Sequence, residues 1–148
     1  MARGFKVRAL GEIAIRCADL EAMMQFYGEV LGLELLSGGH RDGIVFYRMG
    51  ESYGGHTAVL ALFRHDAQQR DVHPTSAGRP VTGAAGSLHH LALTVDAAEQ
   101  DAIIAWYEAE GRSYRIEDFP WIGWRGIFTE DPEGNTVELV AKVADPQA

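Results

Sequence analysis

Three side chains of metal-ligand type stand at the openings or centres of apolar alternating runs. Glu12 opens Glu12-Ile13-Ala14-Ile15-Arg16-Cys17, His90 opens His90-Leu91-Ala92-Leu93-Thr94-Val95, and Glu138 lies inside Thr136-Val137-Glu138-Leu139-Val140. Successive side chains of a strand point to opposite faces. Glu12, Ala14 and Arg16 therefore share one face and Ile13, Ile15 and Cys17 the other, and His90, Ala92 and Thr94 separate in the same way from Leu91, Leu93 and Val95. If the apolar faces lie under helices, the remaining faces line a concave side where Glu12, His90 and Glu138 converge on one cleft. Two carboxylates in a cleft repel unless a cation or a shared proton lies between them. Two oxygen ligands and one imidazole, with positions left for water or substrate, suit Mn²⁺, Fe²⁺, Co²⁺, Ni²⁺ or Zn²⁺. The alternative is a metal-free pocket in which Glu12 and Glu138 are hydrogen-bonded or paired with Arg16 or Arg125.

Around this set, Arg16, Trp124 and Arg125 are the candidate substrate contacts. Arg16 shares the face of Glu12, and its planar fork suits a substrate carboxylate or phosphate; an internal ion pair serves the same position equally well. Trp121, Trp124 and Tyr114 either wall an aromatic-tolerant pocket or fill core. Among the other histidines, His89 has the opposite parity to His90 and reads as a strand-end or helix-side residue. His56 reaches the cleft only if a bulge reverses its parity, and His40, His65 and His73 fall in polar loops. Glu12 and Glu138 double as candidate proton carriers. No Ser-His-Asp order, phosphate-binding loop or dinucleotide glycine pattern is present.

The elements that position these residues occur twice, and a repeat at half the chain length decides the architecture. The strand over 11 to 18 leads through Asp19, a helix cap, into a helix over about 20 to 31 with the stripe Leu20, Met23, Met24, Tyr27 and Leu31, ended by Gly32. Strands follow near Glu34-Ser37, Gly43-Met49 and His56-Phe63. The second copy runs from the strand at His90 through a helix over about Ala97 to Glu110 to strands near Arg112-Glu117, Trp124-Thr129 and Asn135-Val143. Asp131-Pro132-Glu133-Gly134-Asn135 is turn chemistry. The expected organisation is one domain over 1–148, with module one at about 8–65, a linker at about 66–86 and module two at about 87–143. The linker is long for a structureless connection, which points to a flap, a crossover or partial disorder.

The segments Phe26-Tyr27-Gly28-Glu29-Val30-Leu31-Gly32-Leu33-Glu34 and Asp131-Pro132-Glu133-Gly134-Asn135-Thr136-Val137-Glu138-Leu139, with Asp19 after the first strand and His90 on the second, resemble the vicinal oxygen chelate superfamily of glyoxalase I, bleomycin-resistance proteins, extradiol dioxygenases and methylmalonyl-CoA epimerase. The resemblance covers nearly the whole chain. It implies an α+β fold of paired βαβββ modules forming a half-open mixed-sheet barrel. It also implies a small metal-dependent enzyme that binds vicinal oxygens of a small substrate and either stabilises an enolate-like intermediate as a lyase or isomerase, or cleaves with O₂. Against the family pattern, Glu12 stands where metal-dependent relatives usually have His, while His90 and Glu138 match. The fourth glyoxalase ligand position falls on Ala61. A ligand-sequestering protein of bleomycin-resistance type is the alternative.

A net charge of -8, from 13 Lys and Arg against 21 Asp and Glu, with no basic block, argues against nucleic-acid and anionic-membrane partners. No apolar run reaches the about 18 residues of a membrane span, and the first residues lack a signal-peptide core. The single cysteine, Cys17, excludes an internal disulfide and fits a reducing compartment, so a cytoplasmic location is expected. Open sheet edges and the resemblance both imply a homodimer.

Overall fold

The computed structural model describes residues 3–67 and 80–147. The chain divides into two compact units, Met1–Pro80 and Val81–Ala148. Each holds one four-stranded mixed sheet, so the class is α+β. The expected linker lies largely outside the described residues, as do His73 and Pro74. No helix among the described residues is long and apolar enough to cross a membrane.

In unit 1, β1 (Glu12–Cys17) runs into a helix and then β2 (Glu34–Gly39), β3 (Ile44–Glu51) and β4 (Thr57–Arg64), in the spatial order β1-β4-β3-β2. The parallel β1–β4 pair is possible because β1 is followed by a helical crossover. That crossover is not one uniform helix, as the 3.6 periodicity predicts. α1 (Leu20–Met24) spans five residues, starting at Asp19, whose Oδ1 accepts from the Ala22 amide at 3.1 Å. The chain then widens into a π-helical turn over Gln25–Val30, closed by the Leu31 amide donating to the Phe26 carbonyl. Consecutive Phe26 and Tyr27 are both fully buried there, in edge-to-face contact at 4.9 Å. Side chains one residue apart on a regular α-helix diverge by about 100°, so accommodating both in one core is where the regular ladder gives way. Burying a side chain such as Phe26 or Met23 is worth about 1.5–3 kcal/mol. Cys17 is buried with them, on the helix-facing parity of β1.

Unit 2 repeats the order. β5 (Leu91–Thr94), α2 (Gln100–Ala109), β6 (Arg115–Phe119), β7 (Trp124–Glu130) and β8 (Thr136–Lys142) form a sheet ordered β5-β8-β7-β6. Two of the boundary differences from the sequence reading bear on the site. β5 begins at Leu91, leaving His90 just ahead of the ladder, and β6 begins at Arg115 rather than Arg112. Leu91, Val137, Leu139, Ala141, Ile127 and Tyr107 make the core. Gln100, also buried, donates from Nε2 to the Arg125 carbonyl at 2.9 Å and ties α2 to β7.

The turn between β7 and β8 is built on Asp131, which is buried. Its Oδ1 accepts from the Glu133 and Asn135 amides at 2.9 and 3.0 Å, and its Oδ2 from Asn135 Nδ2 at 2.9 Å. Gly134 takes the positive φ of 76° that closes the turn. A carboxylate with this many donors is replaced by no apolar side chain. Asp131→Ala is expected to lower the unfolding free energy by about 2–3 kcal/mol, read from urea titrations of the two proteins; a midpoint equal to that of the unmodified chain would contradict this account of the turn.

Candidate functional site

β5 and β8 run parallel with Ala92 opposite Glu138, and β7 is antiparallel to β8 with Phe128 opposite Glu138. Opposed residues share a face, so Ala92, Glu138, Phe128, Trp124 and Gly126 lie together, joined by Arg115, Glu117 and Phe119 through the β6–β7 pairing. This is the face away from Leu91, Val137, Leu139 and Ile127. It forms a cleft of about 360 Å³ with His89, His90 and Glu138 at one part of its lining and Phe119, Trp121, Trp124 and Phe128 as an aromatic wall. Thus the structure brings together His90, Glu138 and Trp124 of the sequence-predicted set.

Glu138 is the most constrained member. Only 5 % of its surface is exposed, and its Oε1 lies 3.5 Å from His90 Nε2. Burial holds the carboxyl above its ordinary value near 4.5; His90 opposes the shift and Glu117, lining the same cleft, adds to it. Room for the carboxylate comes from Gly126. A Cβ built on Gly126 would run into Glu138 Oε2 and stand 2.9 Å from its Cδ, so any other residue at 126 displaces the acid. His90 is more open, with 38 % of its side chain exposed, and its ring leans on Phe128 at 6.4 Å between centroids. On the far side Arg115 lies over the Phe128 ring at 4.9 Å, with Nε 3.5 Å from Glu117 Oε1.

Unit 1 carries the same framework with other contents. Ala14 pairs with Ala61 and Phe46 with Ala61, as Ala92 and Phe128 pair with Glu138. Ala61, fully buried, therefore occupies the place of Glu138, and Ile44 that of Gly126. Glu12 is the counterpart of His90, and it and Arg16 are exposed on one face of β1. His56 lies in the turn before β4, with its ring close to where a Cβ on Gly11 would stand, at 3.1 Å from Cε1. His40 lines a separate cleft of unit 1 beside Met24, Gly28 and Tyr47.

One expectation is corrected by register. Arg125 pairs with Asp118 and Ala141 on the helix-facing side of the sheet, its Nε 3.9 Å from Asp118 Oδ1, and is not among the residues of the cleft. Strict alternation from Trp124 assigns it there already. His89, expected at a strand end or on the helix side, takes the first of these places: it lies two residues before β5, ahead of the alternation of the strand, and lines the cleft with His90. Tyr114 lines a different hollow, where its hydroxyl donates to Glu108 at 2.7 Å. Sequence reasoning passed over Arg115, Glu117, Phe119 and Phe128. The period-two pattern of β6 and the parity of Phe128 with Trp124 are the signals that identify them. Among the described residues, no group of three or more His, Cys, Asp or Glu side chains is gathered as a metal-binding cluster.

The family model described as Glyoxalase/Bleomycin resistance protein/Dioxygenase superfamily matches residues 9–139. The chain belongs to that superfamily. A curated relative, the uncharacterized protein YwkD of Bacillus subtilis (strain 168), is 29% identical over 134 residues, which cover 90% of this chain and 96% of its own. Among solved structures, lactoylglutathione lyase from Agrobacterium tumefaciens is 26% identical with a TM-score of 0.60, covering 89% of this chain and 92% of that one. A glyoxalase/bleomycin resistance protein/dioxygenase from Nocardioides shares the fold with a TM-score of 0.65 at 23% identity, covering 99% of this chain and 92% of that one. Members of the superfamily bind small-molecule substrates, usually hold a divalent metal ion and often form dimers.

The raised proton affinity of Glu138 has a measurable consequence. A carboxyl whose folded value exceeds its unfolded one stabilises the fold below the unfolded value and loses that contribution as pH rises through the folded value. With chelator present, the unfolding free energy of the unmodified chain is therefore expected to fall relative to Glu138→Gln as pH rises from about 4.5. Parallel pH profiles for the two proteins would contradict the assignment.

Proposed function

We propose that this chain is a small metal-dependent enzyme, with His90 and Glu138 as ligands of one divalent ion in the cleft of unit 2. The observation that carries the reading is the approach of His90 Nε2 to a buried carboxylate at 3.5 Å, with the sheet hollowed at Gly126 to hold that acid. An imidazole and a carboxylate, with further positions open, fit Mn²⁺, Fe²⁺, Co²⁺, Ni²⁺ or Zn²⁺. When bound, such an ion would supply Lewis-acid polarisation of two adjacent substrate oxygens. Glu12, the counterpart of His90 in the repeat, enters the proposal as a third ligand and alternative proton carrier; that role rests on the repeat and the superfamily pattern.

The chain's own groups divide the remaining work. Glu138, beside the position where substrate oxygens would meet the ion, is the candidate to accept and return a proton at a carbon next to a carbonyl. Phe119, Trp121 and Trp124 exclude water from one side of the substrate and present apolar surface to it. Arg16, on the face of Glu12, is the proposed anchor for an anionic group. Lyase or isomerase chemistry and cleavage with O₂ both fit this arrangement. Ala61 at the counterpart of Glu138 favours the second reading, a ligand-sequestering protein of bleomycin-resistance type that binds no metal.

Titration of metal-freed protein with the five ions separates the two. The enzyme reading expects binding at micromolar levels, its loss in His90→Ala and Glu138→Ala, and weakening in Glu12→Ala. No binding of any ion by the unmodified chain would leave the sequestering reading standing.

We also propose a homodimer, since among the described residues each sheet ends in strands with one unpaired edge, β1 and β2 in unit 1 and β5 and β6 in unit 2, and superfamily members often pair. Light scattering at micromolar concentration is expected to return twice the chain mass of 16.2 kDa; a value equal to that mass would refute it.

A further inference from the structure

His89 has no part in the roles above, yet it makes the shortest polar contact in the cleft. Its Nδ1 lies 2.8 Å from Nδ1 of His90, with the two rings at 71° and 5.1 Å between centroids. The opposite nitrogen of His90, Nε2, is the one turned to Glu138. A hydrogen bond between two ring nitrogens requires one proton and one lone pair, so the two imidazoles hold complementary tautomers. If His89 donates, His90 carries its own proton on Nε2, directed at Glu138. If His90 donates, its Nε2 is bare and available as a ligand. The choice made at one edge of the ring thus determines what the other edge offers.

We infer that His89 is a positioning residue: it accepts the Nδ1 proton of His90 and so presents the Nε2 lone pair of His90 to a divalent ion held with Glu138. The inference rests on the proposed metal site. A ligating histidine needs its second nitrogen engaged, because that bond fixes both the tautomer and the rotation of the ring and raises its basicity as a ligand. Such partners are often a carboxylate or a backbone carbonyl. Here the nitrogen is engaged by the preceding residue, and this is possible because His89 and His90 both lie before β5, where consecutive side chains are not forced to opposite faces.

The test compares the unmodified chain with His89→Phe, which keeps a ring and removes the acceptor, and His89→Asn, which keeps an acceptor oxygen. Both changes fall at an exposed position, and matching melting curves would show that the fold is intact. Zn²⁺ affinity is measured by competition with a chromophoric chelator, and the ring ¹⁵N signals of His90 are recorded with and without Zn²⁺. His89→Phe is expected to bind Zn²⁺ about 10- to 100-fold more weakly, with His89→Asn recovering most of the loss. The Zn²⁺-loaded unmodified protein is expected to give His90 signals of a protonated Nδ1 and a ligated Nε2. Equal Zn²⁺ affinity in His89→Phe and the unmodified chain, or His90 signals that the substitution leaves unchanged, would overturn the role of His89 and leave the metal site standing. Failure of the unmodified chain to bind Zn²⁺ or the other four ions would instead remove the metal site itself, and this role with it.

Discussion

A carboxylate placed against the middle of a sheet must be accommodated electrostatically as well as sterically, and unit 2 is arranged to do both. Glu138 gives up most of its hydration on β8, between β5 and β7, where charge is disfavoured. His90 supplies a polar partner at 3.5 Å, and Gly126 supplies volume. Opposite them, Phe128 packs between the imidazole and the Arg115 guanidinium, so one aromatic ring separates the acid's partner from the cation. Neither the acid nor its surroundings make sense alone: an unaided carboxylate at 138 would be destabilising, and a glycine at the centre of β7 without the acid would leave a gap.

Comparison of the two modules isolates what the site adds to the fold. The ladders are the same, with Ala14 and Ala92 each facing the critical position across a parallel pair and Phe46 and Phe128 facing it across an antiparallel one. Unit 1 fills the place with Ala61 beside Ile44, and unit 2 with Glu138 beside Gly126. The framework therefore does not require a polar centre, and the acid in unit 2 answers to something other than folding.

The architecture was legible because both signals on which it depends are periodic and repeated. Alternation in β1 and β5 separated the helix-covered face from the polar one, and the position of Glu138 in β8 followed. Placement of single side chains was less legible where periodicity stops. His89 could not be assigned by parity because it lies before the ladder, and the π-helical turn at Gln25–Val30 could not be read from a stripe that fits a regular helix almost as well. Arg125 was misplaced for the reverse reason: its guanidinium chemistry outweighed an alternation that puts it with Asp118. The β6 contributions were not legible because the faces of Arg115 and Glu117 are set by their pairing with Phe128 and Gly126 of β7, which alternation within one strand does not give.

The exchange of Ile44 and Ala61 for Gly126 and Glu138 also bears on how such a chain can change over generations. A carboxylate arriving alone at 61 would meet a full-sized neighbour at 44, and a glycine arriving alone at 44 would weaken a strand for no return. Each substitution would be unfavourable without the other and compatible with it, which is the pattern of sign epistasis across a cross-strand diagonal. After duplication, this coupling makes it hard for one copy to acquire or discard the acid in small steps. Two modules that began alike would thus be held apart by the packing of a single pair, one with an apolar centre and one with a buried acid.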